Sequence, residues 1–122
     1  MKSITLPIKK VWYDMILSGE KKEDYRAIKE FYTKRFCKMF GLDEKSLFDW
    51  FNRGSFQNIE VTFINGYSKS SPSFTVDCML YIGKGKVEWG AEQNVDYYIF
   101  RINGKCKVKE QWKCQGKDYA AD

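Results

Sequence analysis

Apolar residues change their period partway along this chain, and that change restricts the fold more than any other feature of the sequence. From Asn58 onward the period is two: Ile59, Val61 and Phe63 alternate with Glu60 and Thr62, and Phe74, Val76, Cys78, Leu80 and Ile82 alternate again after the loop "NGYSKSSPS". A third such run covers Val95 to Ile102. Asn103-Gly104 then supplies the residue pair that a two-residue hairpin turn requires, leading into Cys106, Val108 and Trp112 on one face of a fourth strand. The lysines on its other face, Lys105, Lys107, Lys109 and Lys113, read as protection of a sheet edge against aggregation.

Ahead of Asn58 the spacing is helical. Ile8, Val11, Trp12, Met15 and Ile16 predict a first helix from about Pro7 to Ser18, with Gly19 placed for a left-handed cap. Ile28, Phe31, Tyr32, Phe36 and Met39 mark a second helix closed by Gly41, and Asp43 can cap a third that packs Leu47, Phe48 and Phe51. Between the first two helices, "EKKEDYRA" lacks a helical stripe and reads as a short strand. Lys22, Asp24 and Arg26 would share one of its faces and Lys21, Glu23 and Tyr25 the other. The order is helix, short strand, helices and four strands, an α+β domain whose antiparallel sheet must bury one face against helices or curl closed. A small, partly open barrel is the expected form.

Length and composition agree with one core. A chain of 122 residues buries roughly two thirds of its unfolded surface without metals or disulfides, and 43% hydrophobic residues supply the material, so one domain spanning 1–122 is expected. Histidine is absent, which excludes Ser-His-Asp and Cys-His catalysis and removes the commonest zinc ligand. The four cysteines, Cys37, Cys78, Cys106 and Cys114, form no Cys-x-x-Cys pair, so neither a metal nor another cofactor is expected; Cys78 and Cys106 read as packing residues. The N-terminal run "MKSITLPIKKVWYDMIL" interrupts its apolar residues with charge, so neither a signal peptide nor a membrane span is expected, and the chain reads as cytoplasmic. A net charge of +5 draws it weakly toward polyanions.

The charges concentrate in "LSGEKKEDYR", at the junction between helix and sheet. Gly19 lets the chain turn, after which Lys21 offers a point charge suited to phosphate and Arg26 a planar donor fork suited to a base edge or carboxylate. Asp24 can accept from an exocyclic amine or fix Arg26. Tyr25, Tyr67 and Trp89 can offer flat faces to a base, and "GKGKVEWG" can bring Lys84, Lys86 and Glu88 to the rim. Each has a plainer use: Gly19 as a helix cap, Asp24 with Arg26 as a pair along a strand, Tyr25 and Trp89 as packing, Glu88 as a solvated loop residue.

"GEKKEDYR" resembles the signature of the ASCH domains, a branch of the PUA-like superfamily, which read Gly-x-Lys-x-x-Glu-x-Arg after a helix. Gly19, Lys21 and Arg26 match, and Asp24 stands where glutamate is usual. "LPIKKVWYDMILSG" is similar to the helix that leads into that motif, and "VTFINGY", "YIGKGKVEWGA" and "YYIFRING" are similar in order and spacing to the barrel strands. The resemblance covers most of Leu6 to Gly104. It implies a small mixed β-barrel flanked by helices, with a helical insertion at about 27–52, and a cleft beside the motif that binds RNA or a modified nucleotide.

Some family members are amidohydrolases that deacetylate acetylated cytidine, using the motif lysine, a threonine three residues later and a barrel glutamate. Carried over, those roles fall to Lys21, Asp24 and Glu88, with Asp24 as a base in place of the missing hydroxyl. Glu23 and Asp24 should raise the pKa of Lys21 unless desolvation wins, the wrong direction for a lysine that must accept a proton. A third function class, docking of a partner protein, would use the aromatic cluster of Phe48, Trp50 and Phe51.

Overall fold

A computed structural model describes residues 2–104 and the two-residue strand Lys107–Val108. The elements run β1 (Lys2–Pro7), α1 (Lys10–Leu17), β2 (Glu23–Ala27), α2 (Glu30–Phe40), α3 (Glu44–Asn52), β3 (Gln57–Ile64), β4 (Ser73–Lys84), a 3-10 turn (Val87–Trp89), β5 (Asp96–Ile102) and β6 (Lys107–Val108). The strands form one mixed sheet in the order β1-β3-β4-β5-β2, curled into a half-barrel, with β6 also paired to β4. Among the described residues, β1 and β3 pair in parallel and the other pairings are antiparallel.

Register explains how alternation becomes a core. Ile4 and Leu6 lie beside Val61 and Phe63, which lie beside Val76 and Phe74; Leu80 lies beside Phe100 and Ile82 beside Tyr98. Apart from half-buried Ile82, these side chains are buried, and all face the helices, which contribute Tyr13 and Ile16 from α1, Phe36 from α2, and Leu47 and Phe51 from α3. Phe36 seats α2 on the sheet, its ring edge-on to Tyr98 at 4.7 Å and 6.0 Å from Phe100.

Local signals fix the helix ends. Gly41 takes φ 68°, a left-handed conformation that side chains disfavour, and its N–H bonds back to the Cys37 carbonyl. Asp43 caps α3 by accepting from the Ser46 N–H at 2.7 Å. Asp43→Ala should lower the denaturant midpoint of unfolding; an unchanged midpoint would show that the cap contributes nothing.

Three expectations are corrected. The chain begins with a strand, not a helix: Lys2–Pro7 pairs in register with β3, Pro7 is its last residue, and α1 starts only at Lys10. Ile4 and Leu6 supply too short an alternation to be separated from the helical stripe that follows, and the partner that stabilises β1 lies some fifty residues away. Secondly, the stripes are rotated. Val11 is 56% exposed and Phe31 63%, while Tyr13 and Thr33 are buried.

Thirdly, Asn103-Gly104 makes no hairpin. The Asn103 N–H donates to the Asp77 carbonyl at 2.8 Å, which keeps the chain running along β4 instead of reversing. Ile102 faces Cys78 and Lys107 faces Thr75, so both lie along the same neighbour, β4. Cys106, Trp112, Cys114 and the lysines at 105, 109 and 113 lie outside the described residues.

Candidate functional site

Two side-chain arrays arise from the alternation of β2, whose antiparallel neighbour is β5. Asp24 and Arg26, paired with Phe100 and Tyr98, share their face. Arg26 Nε donates to Asp24 Oδ2 at 2.7 Å and its Nη1 to the Tyr32 hydroxyl of α2 at 3.3 Å. The pair is largely withdrawn from water, with side-chain exposures of 14% and 6%. Burial works against the guanidinium charge, but the Asp24 carboxylate outweighs it, so Arg26 is held above the ordinary arginine range.

Glu23 and Tyr25 occupy the opposite face. The Tyr25 hydroxyl donates to Glu23 Oε1 at 2.7 Å, and Glu23 Oε2 accepts from the Tyr81 hydroxyl at 3.1 Å and from Arg101 Nη1 at 3.0 Å. The Tyr25 hydroxyl also accepts the Lys86 backbone N–H at 2.9 Å, which ties β2 to the loop after β4. Gly85 permits this closeness: a Cβ there would stand 2.5 Å from Tyr25 Cζ.

Lys21 joins the two arrays. Its side chain is only 2% exposed; Nζ lies 4.8 Å from the ring centre of Trp12 and 4.8 Å from that of Tyr25, and donates to the Trp89 carbonyl. Burial lowers its pKa and Arg26 adds to that effect, while Asp24 and Glu23 act in the opposite sense; the net result is a fall from 10.5 to about 8. Desolvation therefore wins over the neighbouring carboxylates. On the loop side, Lys86 Nζ lies 4.6 Å from the Trp89 ring, a third cation-aromatic contact, so Trp89 meets Lys21 through its carbonyl and Lys86 through its ring.

Of the residues singled out from the sequence, Lys21, Tyr25 and Trp89 come into direct contact, and Asp24 and Arg26 lie within electrostatic reach of Lys21. Gly19, at φ 87°, follows α1 and donates to the Ile16 carbonyl. Glu88 is exposed beside Trp89. Tyr67, 94% exposed, belongs to the β3–β4 loop and lines a separate 310 Å³ groove with Ile8, Lys9 and Asn65. Of the proposed docking cluster, Phe51 is buried against Tyr98, and Phe48 and Trp50 are half-buried.

Sequence reasoning missed Trp12, Tyr81, Arg101 and the part played by Gly85. Trp12 is masked by its place in an amphipathic stripe. The glycine doublet in "GKGK" was the available signal for a close approach.

No helix among the described residues is long and apolar enough to cross a membrane. No protein family, curated protein or solved structure matches this chain.

Proposed function

We propose that the protein binds RNA or a modified nucleotide at the rim where the segment after α1 meets the Lys84–Trp89 loop. The observation that carries this reading is the Lys86 ammonium above the Trp89 indole, on a loop pinned from beneath by the Lys21 ammonium and the Tyr25 hydroxyl. Lys86 is exposed and can transfer to a phosphate, leaving the indole to stack on a base. Lys22, also exposed, adds charge next to the cage, and Glu88 offers an acceptor for an exocyclic amine. Lys21 supports this surface as a buried strut. The ASCH-like motif and the net charge of +5 point the same way.

The reading is tested by fluorescence anisotropy with a labelled single-stranded RNA and with labelled nucleotides. Trp89→Ala should weaken binding roughly five- to hundredfold, the loss of one stacked base. Lys86→Ala should reduce its salt dependence. Absence of binding at low salt, or binding that neither substitution alters, would refute the proposal.

A second reading, hydrolysis of an acylated nucleoside, is favoured by one observation: Lys21, with a pKa near 8, can accept a proton at mildly alkaline pH. Against it stand the burial of Lys21 and the engagement of Asp24 with Arg26. Incubation with acetylated cytidine decides it. Water would add to the amide carbonyl and the C–N bond would break, releasing acetate and cytidine. No cytidine above the blank, or equal release by Lys21→Met, rejects this role for Lys21.

A further inference from the structure

A groove of 770 Å³ opens where the end of α2, the helix α3 and the starts of β1 and β3 meet, and it shares no lining residue with the Lys21 cluster. Three cations line it: Lys2 from β1, Lys38 from α2 and Arg53 from the end of α3. None forms an ion pair among the described residues, whereas the one lining carboxylate, Asp49, is paired with Lys45 at 2.7 Å. Charge of one sign therefore converges on this wall without compensation. Phe40 and Trp50 supply an aromatic lining, half-buried and 6.0 Å apart at an interplanar angle of 53°.

The end of α2 supplies a third kind of group. The last carbonyls of a helix have no partner within it: at the end of α2, along the groove, the Cys37 carbonyl is taken by the N–H groups of Gly41 and Leu42, and those of Lys38, Met39 and Phe40 accept no bond among the described residues. Carbonyl oxygens repel a bare anion but accept from amines, so the wall favours a ligand that carries amine donors as well as negative charge. An aromatic face, unpaired cations and amine acceptors together match the parts of one chemical class.

We propose that this groove binds a nucleoside phosphate, with the base against Trp50, its amines toward the end of α2, and the phosphate held by Lys38, Arg53 and Lys2. The volume falls within the range of small-ligand sites. The site is independent of the rim at Trp89 and can exist whether or not that rim binds RNA.

The test uses the full chain titrated with adenosine 5′-monophosphate, adenosine, inorganic phosphate and a single-stranded RNA, followed by calorimetry and by tryptophan fluorescence. The monophosphate should bind at least about tenfold more tightly than adenosine or phosphate alone, and the fluorescence change should vanish in Trp50→Phe. Lys38→Ala with Arg53→Ala should weaken it by about tenfold or more, while Lys38→Arg with Arg53→Lys retains most of the affinity. Both sites of substitution are exposed, so the fold should tolerate them. The part of the fluorescence change that Trp50→Phe removes reports this groove and not the rim at Trp89. Binding by the RNA but not the monophosphate is what the rim at Trp89 alone would give, and would overturn the proposal for this groove. Binding by neither, or binding indifferent to the double alanine variant, would overturn the proposal.

Discussion

Arg26→Met is expected to cost about 3–5 kcal/mol of stability, more than its loss of contacts alone would suggest. The reason is what remains behind. Asp24 is only 4% exposed and accepts Arg26 Nε at 2.7 Å on the helix-covered face of β2; without the guanidinium, a carboxylate stays buried with its chief ionic partner gone. Removing both charges avoids that penalty. Asp24→Leu combined with Arg26→Met should therefore be more stable than Arg26→Met alone, and denaturant unfolding of the four corners of this double-mutant cycle measures the coupling. Additive losses in the cycle would mean that water reaches Asp24. Because Arg26 also donates to Tyr32, the single variant should loosen the start of α2, seen as faster amide exchange there.

Stability should also rise with pH because of Lys21. Its folded pKa is depressed to about 8 from 10.5, so below about pH 8 both folded and unfolded chains carry the proton and the cost of burying the ammonium is fully present. Between those two values the folded chain has released a proton that the unfolded chain still holds, and stability increases. The gain from about pH 7 to about pH 9.5 should be roughly 1–2 kcal/mol.

Tyrosines reverse the trend at higher pH. Burial raises the pKa of Tyr25, Tyr81 and Tyr98, so near pH 10 and above the unfolded tyrosines ionise first and stability falls. Lys21→Met keeps the length and apolar character of the stem between Trp12 and Tyr25 and should abolish the rise while preserving the fall. A Lys21→Met profile parallel to that of the unmodified chain would remove Lys21 as its cause.

The parts of the fold that could be read from the sequence are those specified locally. Alternation in β3, β4 and β5 needs no knowledge of the partner strand, and Gly41 and Asp43 carry their capping geometry in their own side chains or lack of one. β1 depends on a parallel partner distant in sequence. The same Asn-Gly pair can reverse the chain or let it run on, and the bond from Asn103 to Asp77, which selects the second, is a tertiary contact.

The site divides along the same line. The parity of β2 was legible, and it sorts Asp24 with Arg26 and Glu23 with Tyr25. The partners that complete the Lys21 cage were not, because two of the linking groups are main-chain atoms, the Trp89 carbonyl and the Lys86 N–H. A backbone donor or acceptor leaves no mark on residue identity. Desolvation is equally silent in a sequence: Glu23 and Asp24 near Lys21 suggest a raised pKa, and only its enclosure by Trp12 and Tyr25 shows that burial prevails.

The enclosure of the Lys21 ammonium supports the loop on which the proposed rim depends, and NMR titration of its ε-methylene and amine nuclei in the folded chain measures that enclosure directly. A midpoint near pH 8, with ring-current shifts from Trp12 and Tyr25 that disappear in Trp12→Leu and Tyr25→Leu, is the predicted result. A midpoint near 10.5 with no ring-current displacement would mean that the ammonium stands in water, and would contradict the account.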